Sequence, residues 1–426
     1  MKKALIITYY WPPAGGPGVQ RWLKFVKYLP TFGVEPIVYI PENPTYPIID
    51  ESLLADVPTD ITIIKRPITE PYKHANKVSR NNSEELSKGI IHKPERQTLV
   101  EKLMLFVRGN FFIPDARKNW VKPSVSFLSE YLIKHEIKTV ITTGPPHSLH
   151  LIGLQLKDQL NIKWFADFRD PWTTIGYHKK LKLLPMAKLK HKTLEKKVLS
   201  EADHIIVTSF NTQNDFEAIT ENPISVITNG YDEEIVAATK LDEKFTLSHI
   251  GSMLSDRDPH VLWEVLSDLI IEDNIFQSHF QLNLIGTTSD DILASLEKYG
   301  LTQFVNVKGY VNHEKALRYQ RKSQVLLLVE IDSEETRCII PGKLFEYMRS
   351  NRPIIALGPI GSDVEHILQT TQTGFYFSYE EKKALKESIK TLFEAFRNNN
   401  LQSKAVNLEQ YSRKALTSQL ASLILK

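Results

Sequence analysis

The stretch Ile339–Gly358, IIPGKLFEYMRSNRPIIALG, sets out a loop, a helix and a strand in one run. Pro341 and Gly342 open a helix whose first backbone N–H groups have no partner within it, and Lys343 adds a cation beside them. Glu346 falls one turn in, where a carboxylate can accept from two neighbouring hydroxyls. Such a helix end suits an anion. Asn351, Arg352 and Pro353 stop the helix, and the apolar run Ile354–Leu357 reads as a buried strand. The competing reading is a plain helix start with a dipole-friendly glutamate.

Outward from this unit, short apolar runs alternate with helical patterns, the rhythm of parallel βαβ units. A first series of strands is expected at Ala4–Thr8, Glu35–Ile40, Thr62–Lys65, Thr139–Thr142, Lys163–Asp167, His204–Thr208 and Ile224–Thr228. A second is expected at Phe245–Ile250, Gln281–Ile285, Val305–Lys308, Val325–Val329, Ile354–Ala356 and Gly374–Phe377. The fold class is therefore α/β, with two Rossmann-like doubly wound domains. Asn229, Gly230, Tyr231 and Asp232, followed by a charged stretch to Lys244, mark the hinge, so the domains are read as residues 1–230 and 231–407. The last helix, about Leu408 to Leu425, has apolar residues near helical spacing and is assigned, as 408–426, to the first domain. Glu70 to Glu101 is polar around Asn81, Asn82 and Ser83, and reads as an excursion from the first domain.

At 426 residues the chain exceeds one usual core, and 42% apolar with 24% charged residues is ordinary for a globular protein. A net charge of +3 names no polyanionic partner. Cys338 is the only cysteine, which excludes an internal disulfide and a cysteine metal cluster and suits a reducing cytosol. The opening MKKALIITYYWPP reads as a first strand and not a signal peptide, and no run approaches the roughly 20 apolar residues of a membrane span.

Further chemistry clusters at expected strand ends. In PPAGGPGVQR, Gly15, Gly16 and Gly18 join the first strand to a helix, either so that a ligand can approach the backbone or as a structural turn. The loop lacks both the GxGxxG spacing and a GK[ST] ending. His147, in TTGPPHSLH, is read either as orienting a bound acceptor or as capping the next helix. ADFRDPW brings Asp167, Arg169 and Asp170 together, as catalytic or acceptor-positioning groups or as a structural clamp. Gly251 leads through Ser252 and Asp256 to Arg257, which can grip a diphosphate bidentately, and Gly309, Tyr310 and Val311 hold a further strand end suited to reading a base. The run His178–Lys197 holds eight lysines against one acid, with leucines interleaved. It is read as a solvated helix face or as a peripheral contact with an anionic membrane; the missing aromatic stacking speaks against nucleic acid. No DxD at a strand end and no zinc-ligand spacing is seen, so no metal is expected.

The ordered set formed by the glycine loop, VTSFNTQNDF from Val207, VITNGYD from Val226, HIGSMLSDR from His249, and KLFEYM with NRP from Lys343 resembles the GT-B-fold retaining enzymes of glycosyltransferase family four over nearly the whole chain. The resemblance implies two domains facing a central cleft, with the C-terminal helix crossing back to the first. It implies a nucleoside diphosphate sugar as donor, a glycan or lipid-linked saccharide as acceptor, no cofactor, and a place in polysaccharide biosynthesis in the cytoplasm or at the inner membrane face. Arg257 stands where the family has a phosphate-binding lysine, Ile340, Pro341 and Gly342 where backbone amides hold phosphate, and Glu346 where a glutamate binds the ribose. Tyr310 and Val311 fall where the family meets the base. Cys338 occupies the place of the family's first paired glutamate, and Ser252 that of an arginine. A sugar-nucleotide epimerase of the same fold and a non-catalytic scaffold of polysaccharide assembly are the alternatives.

Overall fold

The computed structural model describes residues 1–70, 99–179, 181–232 and 239–426. The chain divides into two compact units, Met1–Asn229 with Arg413–Lys426, and Gly230–Ser412. The greater part of the expected excursion, 71–98, and part of the hinge, 233–238, lie outside the described residues.

Among the described residues the first unit holds seven parallel strands: β1 (Lys2–Ile7), β2 (Val34–Pro41), β3 (Thr62–Arg66), β4 (Thr139–Gly144), β5 (Lys163–Phe168), β6 (His204–Val207) and β7 (Ile224–Val226). Their order is β3-β2-β1-β4-β5-β6-β7. Side chains alternate across a strand, so β1 sends Leu5 and Ile7 into one core and Ala4 and Ile6 into the other. Burial on both faces is what the inner strands of a parallel sheet require, and it explains why β1, β2, β4 and β5 read as apolar runs while the edge strand β3 is half-exposed.

The second unit repeats the plan with β8 (Phe245–Ile250), β9 (Phe280–Ile285), β10 (Val305–Val307), β11 (Val325–Val329), β12 (Ile354–Leu357) and β13 (Gly374–Phe377), in the order β10-β9-β8-β11-β12-β13. In β11, Val325, Leu327 and Val329 face one core and Leu326 and Leu328 the other. Strand order reverses between β1 and β4 in the first sheet and between β8 and β11 in the second. At such a switch point the loops leaving the strand ends diverge and open a crevice.

The final helix, Arg413–Leu425, packs Leu416, Leu420, Ala421 and Ile424 against Trp22, Phe25 and Val26 of the first unit. The return starts later than the sequence suggests. Leu408–Tyr411 is a separate short turn belonging to the second unit, where Tyr411 is buried, its carbonyl accepts from the Tyr231 N–H at 3.1 Å, and the Leu408 carbonyl accepts from the Tyr231 hydroxyl at 3.0 Å. Apolar periodicity runs through both pieces, and Ser412 separates them.

Candidate functional site

At the second unit's switch point, the helix Gly342–Arg349 starts behind Pro341 without a side-chain cap. A Cβ at Gly342 would meet nothing within 4 Å, so the helix start is open. The Leu344 N–H donates to the Pro341 carbonyl at 3.0 Å, and the N–H groups of Gly342 and Lys343 carry the positive end of the helix dipole. Ile340, just before it, is half-buried against the inner core.

Lys343 Nζ stands 3.3 Å from His249 Nε2. His249 Nδ1 lies 3.1 Å from the Leu327 carbonyl, which places the ring proton on Nδ1 and leaves Nε2 to accept from the lysine. Burial, with Lys343 beside it, keeps His249 well below its ordinary range and neutral. Burial and then Arg257 push Lys343 down to about 8, against the pull of Glu346. Gly251, at φ 121, is required by its backbone and makes room for the lysine. Its backbone lies in the left-handed region, and a Cβ there would sit 2.5 Å from Lys343 Nζ.

Arg257 ends the short turn Ser255–Arg257, half-buried, its guanidinium without a hydrogen bond or ion pair among the described residues. Glu346 is half-buried, and its Oε2 accepts from Gln320 Nε2 at 2.8 Å. Tyr310, 86% exposed, presents a bare ring beyond β10, while Val311 packs against the inner core. Cys338 is half-buried on the loop before the helix, and Ser252 is exposed.

Glu330 belongs to this site and was not expected from sequence. It follows β11, across the switch point from β8, and accepts from Ser362 Oγ at 3.0 Å and Tyr376 Oη at 2.8 Å. Burial raises it to about 8, against those two donors. The only signal was a lone carboxylate directly behind a wholly apolar strand.

The first unit sorts its candidates differently. Asp167 is fully buried and receives Arg21 Nη2 at 2.8 Å, Trp22 Nε1 at 2.8 Å and Thr143 Oγ1 at 2.7 Å. Burial alone would push its acid range up, but Arg21 and these donors hold it below normal. Arg21 also donates to the Ile227 and Thr228 carbonyls, each at 2.8 Å. Asp167 is therefore a clamp tying the first helix, Pro17–Tyr28, to the sheet, and the expectation that it meets an acceptor is corrected. Its partners come from distant sequence and could not be read locally.

Arg169 donates to the Pro145 carbonyl and lies where a Cβ on Gly18 would be, 1.9 Å from Nη1. Gly15 is likewise structural: its N–H bonds the Ile48 carbonyl at 3.0 Å, and a Cβ would come within 2.9 Å of Ile48 Cγ2. Only Gly16, at φ 106 and with open space around it, keeps the helix start accessible. Asp170 differs from Asp167. It is half-buried, has no hydrogen bond among the described residues, and burial raises its acid range despite Arg169.

His147 does not cap the helix Ser148–Gln159 with its side chain. Asp115 takes that part, accepting from the Ser148 N–H and hydroxyl, both at 2.8 Å. His147 instead stacks on Trp172 at 5.0 Å, with both ring nitrogens buried and unpartnered among the described residues. His150, His178 and His191 are buried nearby in the same unit, with His178 and His191 4.6 Å apart edge to face. Burial depresses all four. Among the described residues no group of three or more such side chains is placed to hold a metal ion.

Two parallel Rossmann-like sheets, each with chemistry at its switch point, define the GT-B architecture. Residues 244–395, within the second unit, match the family described as glycosyl transferases group 1. No curated protein matches the chain in sequence. Among solved structures, the chain is similar to sucrose-phosphate synthase from Thermosynechococcus elongatus, at 14% identity and TM-score 0.61, covering 100% of this chain and 98% of that one. It is similar to a glycosyltransferase from Rickettsia africae at 14% identity and TM-score 0.60, with 100% and 99% covered. Anabaena HepE in complex with UDP-glucose is similar at 12% identity and TM-score 0.56, with 100% of both chains covered. At these identities the likeness establishes the fold.

Proposed function

We propose that the protein transfers a sugar from a nucleoside diphosphate sugar to a saccharide or lipid-linked saccharide, with retention and without a metal. The observation that carries this reading is the pair of cations Arg257 and Lys343, neither in an ion pair among the described residues, near an uncapped helix start, with Glu346 one turn further on. As the bond from sugar to diphosphate stretches, the sugar becomes oxocarbenium-like and the diphosphate gains negative charge. Arg257 can grip two oxygens, while Lys343 and the helix N–H groups take the rest. Glu346 is suited to the ribose hydroxyls and Tyr310 to the base. Retention follows if the acceptor enters on the leaving-group face and a diphosphate oxygen takes its proton. In the first unit, Asp170 is the carboxylate free to hold an acceptor hydroxyl.

The family match over the second unit supports this donor chemistry, as does the UDP-glucose held by HepE. Incubation with a panel of sugar nucleotides, reading released nucleotide with and without EDTA, tests it. Release from none of them overturns the reading, and isomerisation of the donor without acceptor turns it to an epimerase. Complete loss in EDTA restored by magnesium refutes the metal-free mechanism.

A peripheral contact with an anionic membrane is part of the same proposal. Leu184, Met186 and Leu189 are exposed beside the exposed Lys182 and Lys190. Among the described residues no helix is long and apolar enough to cross a membrane. Equal flotation with neutral and anionic liposomes at low salt would remove this contact.

A further inference from the structure

The first unit also carries a pocket of about 690 Å³. Thr173, Thr174 and His178, from the segment after β5, form one wall, and Lys188, Lys192 and Lys196, from the helix Pro185–Glu201, form another. Its size is that of a small-molecule site, roughly 300–1,000 Å³. The lysines recur every four residues and so share one helix face, and none of their ammonium groups has a hydrogen bond or ion pair among the described residues. Like charges on successive turns repel, and an anion seated among them reverses that repulsion.

A second observation points to the same kind of occupant. His178 is 7% exposed, lines the pocket, and has a buried Nε2 with no partner among the described residues. Buried polar atoms are nearly always bonded. A ligand oxygen arriving in the pocket supplies the missing partner. The hydroxyl of Thr174 is exposed and also without a hydrogen bond. Glu195, in the same wall, does not cancel the lysines. Its carboxylate is engaged by the Trp172 N–H at 3.2 Å, the Thr173 N–H at 3.0 Å and the Thr173 hydroxyl, and burial raises its acid range against those donors and Lys192, so one carboxylate held by three donors stands against three lysines.

We propose that this pocket binds the phosphate or diphosphate of a phosphorylated saccharide, with Lys188, Lys192 and Lys196 meeting its charge and His178 and Thr174 its remaining oxygens. Calling that ligand an acceptor rests on the transferase reading; the anion site does not. A soluble sugar phosphate and a lipid-linked one present the same chemistry.

The test titrates pyrophosphate calorimetrically into full-length protein carrying Arg257→Ala, which weakens the diphosphate grip proposed for the second unit. Saturable binding is expected. Adding Lys192→Ala with Lys196→Ala should weaken it at least tenfold, and His178→Phe severalfold, with circular dichroism unchanged. Adding Lys134→Ala with Lys197→Ala, exposed lysines of the first unit that do not line the pocket, should change it less than twofold. Absence of saturable binding, or equal losses from the two lysine pairs, overturns the site. Phosphatidylglycerol vesicles form a second arm. Displacement of pyrophosphate by them assigns the site to a lipid-linked phosphate, and no displacement assigns it to a soluble one. No donor is present, so pyrophosphate binding without sugar-nucleotide turnover upholds the pocket and sinks the transferase reading, while turnover without binding does the opposite.

Discussion

Arg257, Lys343 and Glu346 differ in what each can lose. Arg257 has no partner among the described residues, so removing it leaves no other group unsatisfied and the fold should stand. Arg257→Ala should lower turnover by roughly 10²- to 10³-fold, the usual loss for one transition-state charge partner, with Lys restoring part of it. Initial rates on the donor found by the panel decide the matter, and an unaffected variant removes Arg257 from the mechanism. Glu346→Gln keeps shape and a partner for Gln320, yet gives up a charged acceptor, worth roughly 1.5 to 3 kcal/mol. Donor affinity or turnover should fall about 10- to 100-fold at an unchanged melting temperature; wild-type kinetics would end its assignment. Asp167 should behave in the opposite way. Asp167→Asn leaves the buried Arg21 without its counter-charge, and breaking such a pair costs about 3–5 kcal/mol, so the loss should appear in the urea midpoint before any kinetic measurement.

Among the elements, the helix Ser148–Gln159 with His147 before it, the segment after β5 and the helix Pro185–Glu201 hold the least ordinary packing, since His147, His150, His178 and His191 are buried and neutral with Asp115, Arg169 and Glu195 among the charged groups around them. His150 is pushed down to about 3 and His178 to about 4, both by burial, from an unfolded value near 6.5. Below that value the unfolded chain binds protons that the folded chain does not. The stabilisation is thus fully present above about pH 6.5 and is lost as pH falls toward 4 and then 3, at about 1.4 kcal/mol per pH unit for each histidine. Urea unfolding at pH 7.5, 6.0 and 5.0 should show a falling midpoint, and a flat profile down to pH 5.0 would contradict the assignment of these histidines as neutral. Elements were otherwise the legible part of this chain. All thirteen strands stand where apolar runs between helical patterns placed them, because a parallel sheet buried on both faces writes itself locally. The helix start at Pro341 was equally local. What sequence could not carry were pairings across long separations: Asp167 with Arg21, Gly18 with Arg169, and Lys343 with His249. Each depends on the sheet having first brought two strand ends together.

For the whole molecule, the division into units is not the division of the chain. The second unit is one continuous stretch, Gly230–Ser412, whereas the first is closed by Arg413–Lys426, whose Leu416, Leu420 and Ile424 cover Trp22 and Val26. Order of synthesis therefore matters. A ribosome that has finished the second unit has released a complete fold there, while the earlier-made unit still shows water the apolar surface that residues 413–426 cover. Nascent chains arrested at residue 412, with a linker to clear the exit tunnel, should be cut by protease within residues 1–229 and resist within 230–412, and extending them through Lys426 should protect both. Equal resistance of the two stretches at the first arrest point would contradict this. The stretch translated first is the one closed last, and its apolar surface around Trp22 and Val26 waits for cover through the whole translation of the second unit.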